Sequence, residues 1–234
     1  MNKDGDEAEK GEGEGEEEGE EVEEGDVLIS NTIKIPIKLY RSLFEYQRTG
    51  VKWLCELHEQ GAGGIIGDEM GLGKTVQLIA FFAALHRSGE WAPSIIVCPA
   101  TIMGQWVSEF HRWYPAFRVA LLHSTGSEGG KGESSNLIQK IAKGGDVLIM
   151  TYDGLRIHSE KLFQHEWNYL VLDEGHKIRN PDAEVTLAAK QANTAHRVIL
   201  SGTPLQNNLR ELWSLFDFVY PGKLGTLPIF QAQP

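Results

Sequence analysis

The sequence predicts an α/β chain built on a parallel sheet with helices on both faces, and three observations carry that prediction. Short, nearly continuous apolar runs alternate with stretches of helical spacing along most of the chain, as strands buried on both faces require. A glycine-rich turn, Gly67-Asp68-Glu69-Met70-Gly71-Leu72-Gly73-Lys74-Thr75, separates the apolar run 63–66 from a helix-like stretch. A later apolar run, 169–172, ends in the adjacent carboxylates Asp173 and Glu174. In open parallel sheets ligands sit beyond the carboxyl ends of strands, which is where both features fall.

Residues 1–26 hold 14 Asp and Glu against Lys3 and Lys10, leaving 20 basic and 19 acidic residues beyond them. The net charge of −11 therefore belongs to the tail. Its Glu/Gly repetition cannot bury enough apolar surface to offset ordering entropy, so a disordered acidic tail is expected. Such a tail reads as a solvating leader, or as a docking segment for basic partners such as histone tails. Residues 27–42 are β-rich and broken by Pro36, an extended lead-in or edge strand. From 43 onward the chain is expected to form one domain. Tyr46, Trp53, Leu54 and Leu57 recur at helical spacing, and their face is expected in the core.

Strands are then expected at 64–67, 94–98, 118–122, 146–150, 169–172 and 197–200, and helices at 76–86, 103–113, 136–142, 183–191 and 208–218. The Gly/Ser-rich stretch 124–135 is expected to be a surface loop. Trp106 and Trp113, at helical spacing, read as core in preference to base-stacking platforms. Cys55 and Cys98 have neither CxxC nor metal-ligand spacing, which fits buried apolar thiols in a reducing compartment. No apolar run approaches the length that crosses a bilayer, and the acidic N-terminus is unlike a signal peptide; a protein neither secreted nor membrane-bound is expected.

The turn at 67–75 has the chemistry of a phosphate cradle. Backbone N–H groups of 71–75 can converge on one concavity at a positive helix N-terminus, glycine letting the main chain approach. In a Walker A loop the Lys, here Lys74, reaches the β- and γ-phosphates and the hydroxyl, here Thr75, holds Mg²⁺. The strict pattern asks for Gly where Asp68 stands, and read alone the stretch is equally a Gly-rich turn that caps a helix. Asp173 can hold the metal and Glu174 can orient and deprotonate a water; alone, they read as exposed acids at a strand end. Ser201-Gly202-Thr203-Pro204 follows another apolar run, as a hydroxyl-bearing sensor of the acidic motif or a plain turn.

Taken together, these motifs resemble the first RecA-like lobe of the Swi/Snf type of helicase-related ATPase, over about residues 40–234. The family writes its loop Asp-Glu-Met-Gly-Leu-Gly-Lys-Thr, as at 68–75 here. The segments 97–101, 105–106, 173–180, 205–213 and 221–228 are similar to its transcription-coupled repair branch, and Gly175 stands where most of the family has Ala. The resemblance implies ATP and Mg²⁺ as cofactors. It puts Gln47 on the adenine edge beside Phe44 and Tyr46, although its spacing is equally that of a surface glutamine. Asp68, Gly71, Leu72, Gly73, Lys74 and Thr75 fall on the nucleotide, Thr75 and Asp173 on Mg²⁺, and Lys74, Asp173 and Glu174 on the chemistry.

For DNA the resemblance implies contacts from Pro99 and Thr101, helped by Thr151, Lys177 and Arg179; the last two read equally as solvated surface charge. It implies a nuclear, double-stranded-DNA-stimulated translocase, with RNA polymerase and nucleosomes as partners and no membrane. The family also needs a second lobe with an arginine finger, which these residues lack, so the chain alone is expected to hydrolyse ATP poorly. The rival expectation is a truncated, non-catalytic ATP-binding and interaction module.

Overall fold

The computed structural model describes residues 25–122, 131–203 and 208–232. The expected acidic tail, apart from its last two residues, lies outside the described residues, as do most of the Gly/Ser-rich stretch and Pro204 through Asn207.

The lead-in is a small folded unit. Strands β1 (Asp26–Leu28) and β2 (Lys34–Pro36) pair antiparallel, and Pro36 ends β2 and caps α1 (Ile37–Ser42). Ile33 and Ile35 are fully buried in the main core, and Asp26 holds Arg87 through two hydrogen bonds of 2.9 and 3.1 Å. Helix α2 (Glu45–Glu59) follows, and then β3 (Gly64–Ile66). The buried stripe of α2 is Gln47, Val51, Leu54 and Cys55, while Tyr46 and Trp53 are exposed. The expected core face is thus rotated. Gly50 lies on the buried side of α2, where a Cβ would collide with the Gln77 side chain, so α2 approaches its neighbour along the glycine.

That neighbour is α3 (Lys74–Ser88), in which residues 76–85 are all buried. A helix covered on every side sits inside the molecule. Gly73 opens it and Gly89 closes it, both left-handed. Next come β4 (Ser94–Val97), a 3-10 turn at Ala100–Ile102, α4 (Met103–Trp113) and β5 (Val119–Leu122). The following helix, α5 (Lys131–Gly144), is longer than expected, and β6 (Val147–Met150) succeeds it. An unexpected helix, α6 (Tyr152–Leu162), is capped by Thr151, whose hydroxyl accepts from the Gly154 N–H at 3.0 Å. Strand β7 (Trp167–Asp173), a 3-10 turn at Gly175–Ile178, α7 (Glu184–Gln191), β8 (Thr194–Leu200), α8 (Leu209–Val219) and α9 (Leu227–Gln231) complete the described chain.

All six strands from β3 to β8 form one parallel sheet in the order β3-β8-β7-β4-β6-β5. Side chains alternate across it. Ile96, Ile149, Val171 and Val198 pack with α2, α3 and α4, whereas Ile95, Leu148, Leu170 and Ile199 pack with the helices of the other face. Each large apolar side chain buried in this way contributes about 1.5–3 kcal/mol relative to exposure. The register sets Asp173 opposite Leu200 and Leu200 opposite Ile66, with Val97 opposite both Leu172 and Met150. The carboxyl ends of five strands are therefore level, and the turns that follow them emerge along one edge. No described helix is long and apolar enough to cross a membrane.

Candidate functional site

The turn from β3 to α3 is built on two left-handed glycines, Gly71 at φ 89° and Gly73 at φ 80°, a backbone that side chains disfavour. A Cβ on Gly73 would stand 2.5 Å from Gln47 Nε2 and 2.9 Å from Val76 Cγ1. Lys74 Nζ donates to the carbonyls of Asp68 at 2.7 Å and Glu69 at 3.0 Å, drawing the turn around the head of α3. Asp68 is also held through its side chain, where Oδ2 accepts from Gln77 Nε2 at 2.9 Å. This accounts for Asp at the position where a strict Walker A loop has Gly: the carboxylate pins the turn to the helix it precedes.

Gln47 is buried, and both ends of its amide are engaged. Oε1 accepts from the Phe44 N–H at 3.0 Å, and Nε2 donates to the Leu72 carbonyl at 3.2 Å. It braces α2 against the turn. Phe44 and Tyr46 beside it are exposed and stacked, with ring centroids 5.8 Å apart and planes 8° from parallel.

At the end of β7, Asp173 is 8% exposed. Its Oδ2 accepts from Trp106 Nε1 at 2.8 Å, its Oδ1 from the Glu174 N–H at 2.9 Å, and its carbonyl from the Tyr152 hydroxyl at 2.7 Å. Burial pushes the Asp173 carboxyl above its ordinary pKa, and the Trp106 and Glu174 hydrogen bonds oppose that shift. Glu174 differs in both backbone and surroundings. At φ 54° and ψ 47° it is the one non-glycine residue in left-handed conformation among the described residues. Its side chain is half-buried, with Oε2 3.2 Å from His176 Nδ1, which stands 3.3 Å from Thr203 Oγ1.

The third motif closes against the first. The Ser201 N–H donates to the Ile66 carbonyl at 3.1 Å, and a Cβ on Gly202 would meet Met70 Cγ at 2.8 Å. The glycine turn and the end of β7 share a cleft of about 410 Å³ lined by Gly71, Gly73, Lys74, Thr75, Asp173 and Glu174, with Gln105, Trp106, Glu109 and Trp113 of α4 as its far wall. A glycine-built helix N-terminus with an ammonium and a hydroxyl on one side, and two carboxylates on the other, fits a polyphosphate with a divalent cation. A larger cavity, about 690 Å³, lies at the opposite ends of β4, β7 and β8 among Pro93, His165 and Asn193, with no such glycine-built turn.

The residues expected on DNA divide. Pro99 and Thr101 follow β4, Thr101 being exposed, and Thr151 follows β6 but is buried as the cap of α6. Lys177 is exposed, whereas Arg179 pairs with Glu211 at 3.7 Å. Sequence reasoning took Trp106 for core alone and passed over Gln77, Tyr152 and the link through His176. Two of them adjoin motif residues, but nothing in a sequence announces a contact across the fold.

A family model described as the SNF2-related domain matches residues 46–233. The chain belongs to the SNF2-related family. It is 56% identical to mouse "DNA excision repair protein ERCC-6", covering 92% of this chain, and 51% identical to "DNA repair and recombination protein RAD26" of Saccharomyces cerevisiae, covering 89%. The chain spans 15% and 23% of the length of those relatives. Among solved structures it resembles the Sulfolobus solfataricus SWI2/SNF2 ATPase core in complex with dsDNA, at a TM-score of 0.74 and 30% identity, over 88% of this chain and 41% of that one. The six-stranded sheet and its flanking helices are thus an SNF2-related ATPase lobe of the RecA-like, P-loop kind.

Proposed function

We propose that this chain is the ATP-binding lobe of a double-stranded-DNA-dependent ATPase and translocase that acts in transcription-coupled repair and chromatin remodelling in the nucleus. The observation that supports it most is the shared cleft. Lys74 and Thr75 at the N-terminus of α3 face Asp173 and Glu174 at the end of β7 across one space. In this reading the N–H groups of 71–75 and the Lys74 ammonium bind the phosphates, while Gln47 braces the turn and Phe44 and Tyr46 adjoin the base. Thr75 and Asp173 hold Mg²⁺, which when bound neutralises phosphate charge. Glu174, the less buried carboxylate, orients a water and takes its proton.

The names of the relatives and the DNA bound to the Sulfolobus core support the substrate. Here Pro99, Thr101 and Lys177 are the proposed DNA side, with Thr151 buried as the cap of α6 and Arg179 held in its ion pair. Contacts of this kind go to phosphates, so binding is sequence-tolerant and salt-sensitive. RNA polymerase and nucleosomes are proposed as partners of the longer proteins this chain matches in part. The decisive experiment is a fluorescent-nucleotide titration of Lys74→Ala. Charge-assisted hydrogen bonds contribute about 1.5–3 kcal/mol, so the affinity for Mg-ATP should fall about 10- to 150-fold; retained affinity would remove the cradle from the proposal.

A further inference from the structure

We propose that Trp106 and Tyr152 are positioning residues that fix Asp173 in the orientation a divalent cation needs. The inference rests on the reading of Asp173 as the metal carboxylate, and it names what holds that carboxylate in place.

The geometry is specific to one residue. Trp106 Nε1 fixes the side chain of Asp173 through Oδ2, while the Tyr152 hydroxyl fixes its peptide through the carbonyl oxygen. Trp106 is itself buried, 1% exposed and packed against Phe110 with ring centroids 6.1 Å apart. An indole N–H has no acceptor capacity, so Oδ2 always receives from it. With the Glu174 N–H on Oδ1, each carboxylate oxygen accepts one hydrogen bond and keeps a further lone pair for a cation or its water. A core that needed only a partner for a buried indole would be served by a backbone carbonyl. Here the partner is the carboxylate of Asp173, 8% exposed, whose two oxygens and carbonyl are each held by a separate donor.

The two holders come from separate elements. Trp106 stands on α4, after β4; Tyr152 opens α6, after β6. Both strands lie on the same side of β7 in the sheet, so Asp173 is steadied from one flank while its other flank faces the glycine turn. Partners of metal ligands typically change metal affinity by about 10- to 100-fold when removed.

The test compares wild type, Trp106→Phe and Tyr152→Phe, each titrated with a fluorescent ATP analogue in EDTA and then with Mg²⁺ at fixed nucleotide. Affinity in EDTA should match wild type in Tyr152→Phe, which does not line the cleft; Trp106 does, so the Mg²⁺ midpoint of Trp106→Phe is read against that variant's own affinity in EDTA. The Mg²⁺ concentration at half effect should rise about tenfold in Trp106→Phe, with a smaller rise in Tyr152→Phe. In an Asp173→Asn background, Trp106→Phe should add no further rise, an outcome that a general loosening of the core would not give. Unchanged Mg²⁺ midpoints in both variants, beside Mg²⁺-dependent binding by wild type, would overturn the assignment. Wild type that binds nucleotide without responding to Mg²⁺ would overturn it too, through the role of Asp173, and wild type that binds no nucleotide would overturn the ATPase reading beneath it. Tyr152→Phe removes a single oxygen from the core, so it carries the comparison if Trp106→Phe does not fold.

Discussion

Gln77, 2% exposed in the second turn of α3, donates its amide to Asp68 Oδ2 at 2.9 Å. The glycine turn is therefore tied at its entrance to the helix that begins at its exit. Removing one partner leaves a buried polar group unmatched, at about 1–3 kcal/mol. Asp68→Ala and Gln77→Ala should each weaken nucleotide binding, and the double variant should lose less than the sum. Asp68→Asn keeps the acceptor and should behave as wild type. Additive losses in the titration would show that the pair does not act as a unit.

Glu174 occupies a backbone conformation that costs a non-glycine residue about 1–2 kcal/mol. Replacing it with glycine removes that strain but adds flexibility to the unfolded chain. Glu174→Gly should therefore gain about 0.5–1 kcal/mol in chemical denaturation while losing the proposed base. Any drop in stability would mean that the contact with His176 outweighs the strain.

His196 packs between His58 and Tyr169, with ring centroids at 4.6 and 4.7 Å. Burial above all, and then the neighbouring His58, pushes its pKa down to about 4 from 6.5, against a hydrogen bond to the Ala62 backbone. His58 in turn contacts the Tyr169 hydroxyl at 2.8 Å and Glu90 at 3.0 Å. The unfolded chain takes up this proton below about pH 6.5 and the folded chain only below about 4. Its contribution to stability is complete above the first value and is lost as pH falls toward the second, on the order of 2–3 kcal/mol in all. His196→Phe keeps a ring in the stack and should flatten the stability profile across that window. A slope equal to wild type would assign the acid sensitivity elsewhere.

Gly175 lies under β8, where a Cβ would press into Ile199, with further contacts at 3.3 Å. Gly175→Ala should destabilise this chain by about 1–3 kcal/mol, as overpacking does. A melting temperature unchanged in Gly175→Ala would mean that the β8 side chain moves aside freely.

The strands of this fold were legible because each is covered on both faces, which leaves uninterrupted apolar runs such as Ile95-Ile96-Val97 and Leu170-Val171-Leu172. Lys74, Asp173 and Glu174 were legible for a related reason: their motifs stand directly at strand or helix ends, where sequence order is also spatial order. Helix α6 escaped notice because its fully buried positions are few, Gly154, Leu155 and Leu162, too sparse for a period. On α2 the polar Gln47 occupies the buried stripe and the aromatic Tyr46 and Trp53 do not, an inversion that goes with the close approach at Gly50. The bonds from Gln77, Trp106 and Tyr152 join residues 9, 67 and 21 positions from their partners, and no local pattern encodes them.

Helix α3 offers a last consequence. Ten successive buried residues make it an element whose amides should exchange only when the whole lobe opens. A ligand gripping its first turn therefore draws on the global folding equilibrium rather than on a local one. Ligand-induced gains in unfolding temperature should consequently scale with occupancy, and hydrogen exchange along α3 should slow in step, so that the helix serves as an internal gauge of how tightly the turn is held.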